Sequence, residues 1–151
     1  MKTKVRRMRE SEKMTFYRYE RAEMYPSLTA ADIGRWYDGI GKFAYRYYVL
    51  MDDRGEMLGG AILELYDFLK DGRAILDFVA MWIRQEYQRQ GLGTFLFKEA
   101  LRRAMKEIPT GALHIETNTA QGFYRKVLPA GFKEMSIEAS DETITFFACP
   151  L

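Results

Sequence analysis

The 151-residue chain has one cysteine, Cys149, and one histidine, His114. A single thiol excludes a disulfide framework and a thiolate metal cluster. A single imidazole argues against a His-based zinc site and a Ser-His relay, so no metal is expected. Proline occurs only four times, and hydrophobic residues make up 48% of the chain. That composition supports a sizeable core and argues against disorder. No apolar run approaches the roughly 18 residues a membrane span needs. The N-terminus is basic with no apolar segment behind it, so no secretory signal is expected. Repeats, low-complexity tracts and linkers are missing as well. The expectation is one domain over residues 1–151, in the cytoplasm, without a membrane partner.

Net charge is only +2, but its distribution is uneven. Residues 1–21 carry eight basic and three acidic side chains, and residues 22–79 carry six and ten. Residues 80–133 carry nine and four, and the last 18 residues carry four acids and no base. An anionic ligand suits the third segment and a cationic partner the second. Solvated surface charge is the plainer alternative.

Residues 4–8, KVRRM, read as an edge strand. Ser11 to Glu23 and Ala30 to Phe43 read as helices broken at Pro26-Ser27, with Asp32 and Gly34 weakening the second. Tyr45–Met51 and Met57–Leu65 form a hairpin about Asp52-Asp53-Arg54-Gly55. After a turn at 70–73, AILDFVAMWI at 74–83 reads as a buried strand. From Gly93 the apolar period becomes helical and stops at Pro109. A short strand at 112–118, a helix at 119–127 and a closing hairpin complete the order. This predicts an α/β (α+β) fold with a largely antiparallel sheet interrupted by helices.

Two glycines, Gly91 and Gly93, stand between the buried strand and its helix. A helix N-terminus leaves about four N–H groups unpaired, and its dipole favours negative charge. Glycine keeps that mouth clear of side chains and allows left-handed backbone angles. A pyrophosphate fits against the amides from Gln88 through Thr94, with the Thr94 hydroxyl and the Arg89 charge in reach. Other phosphate loops do not match: no Lys-Ser/Thr follows the glycines, and G-x-G-x-x-G is incomplete.

QRQGLG, Gln88 to Gly93, resembles the Q/R-x-x-G-x-G/A signature of the GCN5-related N-acetyltransferases, the GNAT superfamily. IETNTAQGFYRKVLPAGFKE is similar to the family's second signature, with Asn118, then Phe123-Tyr124, then Gly131-Phe132. The resemblance implies the GNAT fold, a mixed and mostly antiparallel sheet of about six or seven strands with a splayed central pair. It implies acetyl-CoA as co-substrate and a primary amine as acceptor. The backbone of Met81 and Ile83 would pair with the pantetheine arm. Amides of Gln88, Gln90, Gly91, Gly93 and Thr94 would hold the pyrophosphate. Asn118 would bond the pantetheine, and Arg125 or Lys126 would reach an outer phosphate.

Direct transfer then needs a base for the ammonium, a donor for the thioester carbonyl and an acid for the departing thiolate. Tyr124 is the candidate acid, because a phenol with a pKa near 10 can protonate a thiolate. Packing beside Phe123 is its alternative reading. Asp77 is the first candidate base, a carboxylate inside an apolar strand, and by resemblance its offset of fourteen residues before Gly91 is that of the base glutamate in the family's histone-acetylating branch. Glu64 and Glu116 follow it. His114 reads as structural, and Cys149 lacks a basic partner in sequence.

Acids at 23, 32, 38, 52, 53, 64, 67, 71 and 77, with many tyrosines, favour a cationic small-molecule acceptor. A protein N-terminal or lysine acetyltransferase is one alternative, and a non-catalytic acyl-CoA-binding sensor or interaction module another. Nucleic-acid binding is not expected, because the basic N-terminus has no recognition element beside it. A homodimer is compatible with the aromatic N-terminal region or the last strands.

Overall fold

The strands and helices follow from patterning on two periods, and in the computed structural model they assemble about one sheet. Residues 2–38, 45–116, 121–128, 130–137 and 143–148 are described. The strands are β1 (Thr3–Arg7), β2 (Tyr45–Asp52), β3 (Met57–Phe68), β4 (Ala74–Ile83), β5 (Thr110–Glu116), β6 (Phe132–Ile137) and β7 (Thr143–Ala148). The helices are α1 (Lys13–Met24), α2 (Ala30–Asp38), α3 (Leu92–Glu107) and α4 (Gln121–Val127). The sheet order is β1-β2-β3-β4-β5-β7-β6. Every pairing is antiparallel except β4 with β5, which is parallel. This is the mixed, mostly antiparallel sheet flanked by helices that the sequence predicts.

α3 buries Leu96, Phe97, Ala100, Leu101 and Ala104. That spacing lines one face of a 3.6-residue helix. The face packs on Leu50, Leu58, Leu63, Leu76, Phe78 and Leu113 from the sheet. Each fully buried Leu or Phe contributes roughly 1.5–3 kcal/mol relative to exposure. The opposite face of the sheet meets Phe16 and Tyr17 of α1 and Ile33 and Tyr37 of α2.

Asp32 does not weaken α2; it helps to start it. The Thr29 amide donates to the Asp32 carboxylate at 3.0 Å, and the Asp32 amide donates to Thr29 Oγ1 at 3.1 Å. This reciprocal pair is a capping box, which satisfies N–H groups the helix leaves unpaired. β3 runs to Phe68, three residues past the expected end. Residues 39–43 of the expected second helix lie outside the described residues, as do Asn118 and Cys149.

Two irregularities shape the centre of the sheet. Leu63 pairs with Phe78 and Ile62 with Ala80, so Val79 has no register partner. Such a β-bulge reverses which face the following residues point to. Ala74, Leu76 and Phe78 accordingly pack on the α3 side, whereas Ala80 and Trp82 pack under α1. Leu65 pairs with Leu76 and Asp67 with Ile75, which makes Tyr66 the extra residue of a second bulge.

Candidate active site

β4 and β5 run side by side from Ala74↔Thr110 to Asp77↔His114, and the pairing stops there among the described residues. β4 continues to Ile83, so its second half has β3 on one edge and, among the described residues, no strand on the other. The unpaired edge begins at the Val79 bulge. A row of backbone N–H and C=O groups is thereby left for a guest that pairs like a strand. Met81 and Ile83 lie on this stretch, with side chains packed on the α3 side.

Past Ile83 the chain makes a short 3-10 turn at 85–87 and enters the glycine loop. Gly91 is left-handed, with φ of 77°. The second left-handed residue is Arg89, with φ of 62°, and not Gly93. A non-glycine residue in that region costs about 1 kcal/mol or more and points to a functional constraint. A Cβ at Gly93 would meet Phe123, Met81 and Ile83 at 3.8–4.0 Å, an ordinary contact distance. The first backbone bond of α3 runs from the Phe95 amide to the Gly91 carbonyl at 3.2 Å. The amides of Leu92, Gly93 and Thr94 therefore precede the helical ladder and point out of its mouth. A cavity of about 240 Å³ opens there, lined by Ile83, Gln88, Arg89, Gly91, Gly93, Thr94 and Phe123 among others. The clear mouth, the free amides and the basic side chain fit a diphosphate.

α1 ties down this loop, which sequence reasoning missed. The Gln85 amide donates to Glu23 Oε1 at 3.0 Å, and Gln88 Nε2 lies 3.4 Å from Glu23 Oε2. Gln88 Nε2 also donates to the Ile83 carbonyl at 2.8 Å. The sequence groups Glu23 with the acids that favour a cationic acceptor; its contacts are with the glycine loop. The signal was confined to a contact 62 residues away in sequence.

Tyr124 on α4 packs against the core on the α3 side of the sheet. Its ring meets Phe97 at 5.5 Å, Phe123 at 5.2 Å and Phe78 at 6.3 Å between centroids. Burial among these rings pushes its phenol up to about 12. The phenol thus keeps its proton at neutral pH, as a proton donor must. The ring packs beside Phe123, as the packing reading expects. Arg125 and Lys126 are exposed on the same helix.

On the other face, the register aligns Tyr45, Glu64, Asp77 and His114 across four strands. Glu64 and Asp77 are direct cross-strand partners, an unfavourable pairing for like charges. Burial, and then the Asp77 charge, raises the Glu64 carboxyl above its ordinary range. Burial and these two carboxylates raise the Tyr45 phenol as well. His114 Nδ1 lies 3.3 Å from Asp77 Oδ1, and both side chains are 19% exposed. The Tyr66 ring stacks on His114 at 5.5 Å, with 22° between the planes. Glu116 ends β5 opposite Thr143, and its side chain lies outside the described residues.

Comparison with known proteins matches residues 44–134 to the acetyltransferase (GNAT) domain. The chain belongs to the GNAT acetyltransferase family. No curated protein matches it in sequence. Solved GNAT structures share its fold. A GNAT family N-acetyltransferase from Escherichia coli in complex with CoA has a TM-score of 0.72 at 15% identity, covering 98% of this chain and 82% of that one. A spermidine N-acetyltransferase chimera built in part from Vibrio cholerae has a TM-score of 0.68 at 16% identity, covering 99% and 95%. A ribosomal-protein-alanine N-acetyltransferase from Escherichia coli has a TM-score of 0.65 at 16% identity, covering 97% and 90%. In this GNAT chain no helix among the described residues is long and apolar enough to cross a membrane. No group of potential metal ligands occurs among the same residues.

Proposed function

We propose that the protein transfers the acetyl group of acetyl-CoA directly to a primary amine on a cationic small molecule, in the cytoplasm, as a single domain. The observation that carries this reading is the unpaired edge of β4 from Val79 to Ile83, leading straight into the glycine mouth of α3. A chain of that shape binds an extended arm along the strand and a diphosphate at its end.

In this reading, backbone groups of Met81 and Ile83 pair with the pantetheine arm. Amides of Gln88, Gln90, Gly91, Gly93 and Thr94 hold the pyrophosphate, and Arg89 adds charge. Asn118 and Arg125 complete the donor site by resemblance to the family. The thioester carbonyl then lies near the β4 bulge, where a backbone N–H polarises it. The ammonium loses its proton in the polar row that contains Asp77 and Glu64. The neutral amine attacks the carbonyl carbon, and Tyr124 protonates the departing thiolate. The strip of Tyr45, Glu64, Asp77 and Tyr66 supports a cationic acceptor, because carboxylates and aromatic faces both favour ammonium groups.

Calorimetric titration with acetyl-CoA, with dephospho-CoA and NADH for comparison, tests the donor site. Thiol release is then followed with a polyamine, an aminoglycoside and a lysine peptide. Saturable binding with polyamine- or aminoglycoside-dependent release supports the reading. Preference for the peptide moves the acceptor to a protein amine. Binding without release from any amine reduces the protein to an acyl-CoA-binding module.

A further inference from the structure

The one histidine of the chain reads as structural from sequence, yet it lies at the vertex where β4 and β5 part. Asp77↔His114 is the last register pair before the strands separate. The acyl end of a donor lying along β4 is therefore adjacent to this pair. Two features fix the imidazole there. Nδ1 faces Asp77 Oδ1 at 3.3 Å. The ring plane is held by Tyr66, which the second β3 bulge brings over His114. Bulges often re-aim a side chain beside an active site.

We infer that His114 is the group that takes the proton from the acceptor ammonium and that Asp77 is its positioning partner. This rests on the acetyltransferase reading above. An imidazole that donates from Nδ1 to a carboxylate carries its lone pair on Nε2, the arrangement of a general base with an orienting carboxylate. The distance of 3.3 Å is long for an N–H···O bond, as is common for catalytic contacts before substrate binds. The ammonium N–H bond breaks and its proton goes to Nε2. The freed lone pair of the amine forms the C–N bond at the thioester carbonyl. The C–S bond breaks, and the thiolate takes the Tyr124 proton. An imidazole suits the first step better than a carboxylate, since its ordinary pKa of about 6.5 lies near neutral pH.

Several of the described strands bring groups to the row that holds His114. Asp77 comes from β4, and Tyr66 and Glu64 come from β3. Tyr45 from β2 stands one strand further along the row. Thr145 of β7 is its register partner on the other side and does not titrate.

The experiment combines rate–pH profiles with an NMR titration, because a lone histidine gives one unambiguous imidazole signal. Wild-type kcat/KM for the best amine is expected to fall at low pH with an apparent pKa equal to that of the imidazole. His114→Asn keeps a donor towards Asp77. It is expected to lose about 100-fold or more in kcat/KM at pH 7 and to lose that acid limb, with acetyl-CoA affinity unchanged. Asp77→Asn is expected to move the imidazole titration and the acid limb together to lower pH. The double variant is expected to be hardly slower than His114→Asn, because the two act as one unit. Wild-type activity with an unaltered rate and profile in His114→Asn overturns the inference and leaves the acetyltransferase reading intact. An acid limb that stays put while the Asp77→Asn imidazole titration moves overturns it too, even if His114→Asn does not fold. Absence of amine-dependent thiol release from the wild type removes the acetyltransferase reading itself, and this assignment with it.

Discussion

The two faces of the central sheet are built from different materials. On the α3 side, Leu, Ala and Phe side chains form an ordinary core, and the site that emerges from it is backbone: a free strand edge and a clear helix mouth. On the α1–α2 side, the packing is aromatic. Tyr17, Tyr37, Tyr45 and Tyr47 surround one another within about 6.5 Å, and the polar groups are side chains aligned by register. Backbone recognition tolerates many sequences as long as the glycines stay. Side-chain recognition is particular to this chain. In the proposed function, the donor is therefore recognised by backbone and the acceptor by side chains.

Four changes break or sharpen that contrast. Gly91→Glu is expected to have the largest effect, because it puts a Cβ at φ of 77° and a negative charge in the anion site. Acetyl-CoA affinity should fall by at least about 100-fold, or roughly 2.7 kcal/mol, by calorimetry. Unchanged affinity would remove the anion-site argument.

Glu20 tests the other face. It is fully buried, accepts from the Tyr37 hydroxyl at 2.7 Å, and is pushed up to about 7 by burial. Its second oxygen has no partner among the described residues. A carboxyl whose folded pKa exceeds the unfolded one binds its proton more tightly when folded. Its stabilising effect is complete below about pH 4.5 and is lost as pH rises to about 7. The loss is on the order of 3 kcal/mol. Glu20→Gln should flatten that part of the stability–pH curve in chemical denaturation. A slope identical to wild type would show that Glu20 does not titrate there.

Tyr124→Phe should lower kcat by about 100-fold with acetyl-CoA affinity unchanged, a loss confined to chemistry. Full turnover would leave Tyr124 with packing alone. Gly60→Ala should cost about 1–3 kcal/mol in thermal or denaturant unfolding. Its Cβ would lie 2.3 Å from the Phe16 ring and 2.6 Å from the Trp82 ring, and both rings are buried. This defect belongs to the aromatic face, so donor binding by the folded fraction should survive.

The same contrast explains what could be read from sequence. The glycine mouth was legible because its chemistry is local and its residues are consecutive. The strand order up to β4 followed from alternation and turns. The Val79 bulge was not legible: buried and half-buried residues alternate without a break along β4. Nothing in that pattern shows that Ala80 and Trp82 have changed face. The Tyr66 bulge was hidden the same way, and with it the stack on His114. Glu64, Asp77 and His114 become neighbours only through register between strands far apart in sequence. Hence Asp77 stands out in the sequence as an isolated charge, and its imidazole partner does not.

The tether at Glu23 has a thermodynamic consequence. α1 carries Phe16 and Tyr17 into the aromatic face, and through Glu23 it also holds Gln85 and Gln88 of the glycine loop. In the proposed function, donor and acceptor binding thus share a helix. Any shift of α1 that an acceptor favours is transmitted to the loop that receives the donor. Linkage requires the effect to be reciprocal, so donor and acceptor must change one another's affinity by the same factor. Glu23→Gln should bring that factor closer to one, and acetyl-CoA titrations with and without the amine measure it directly.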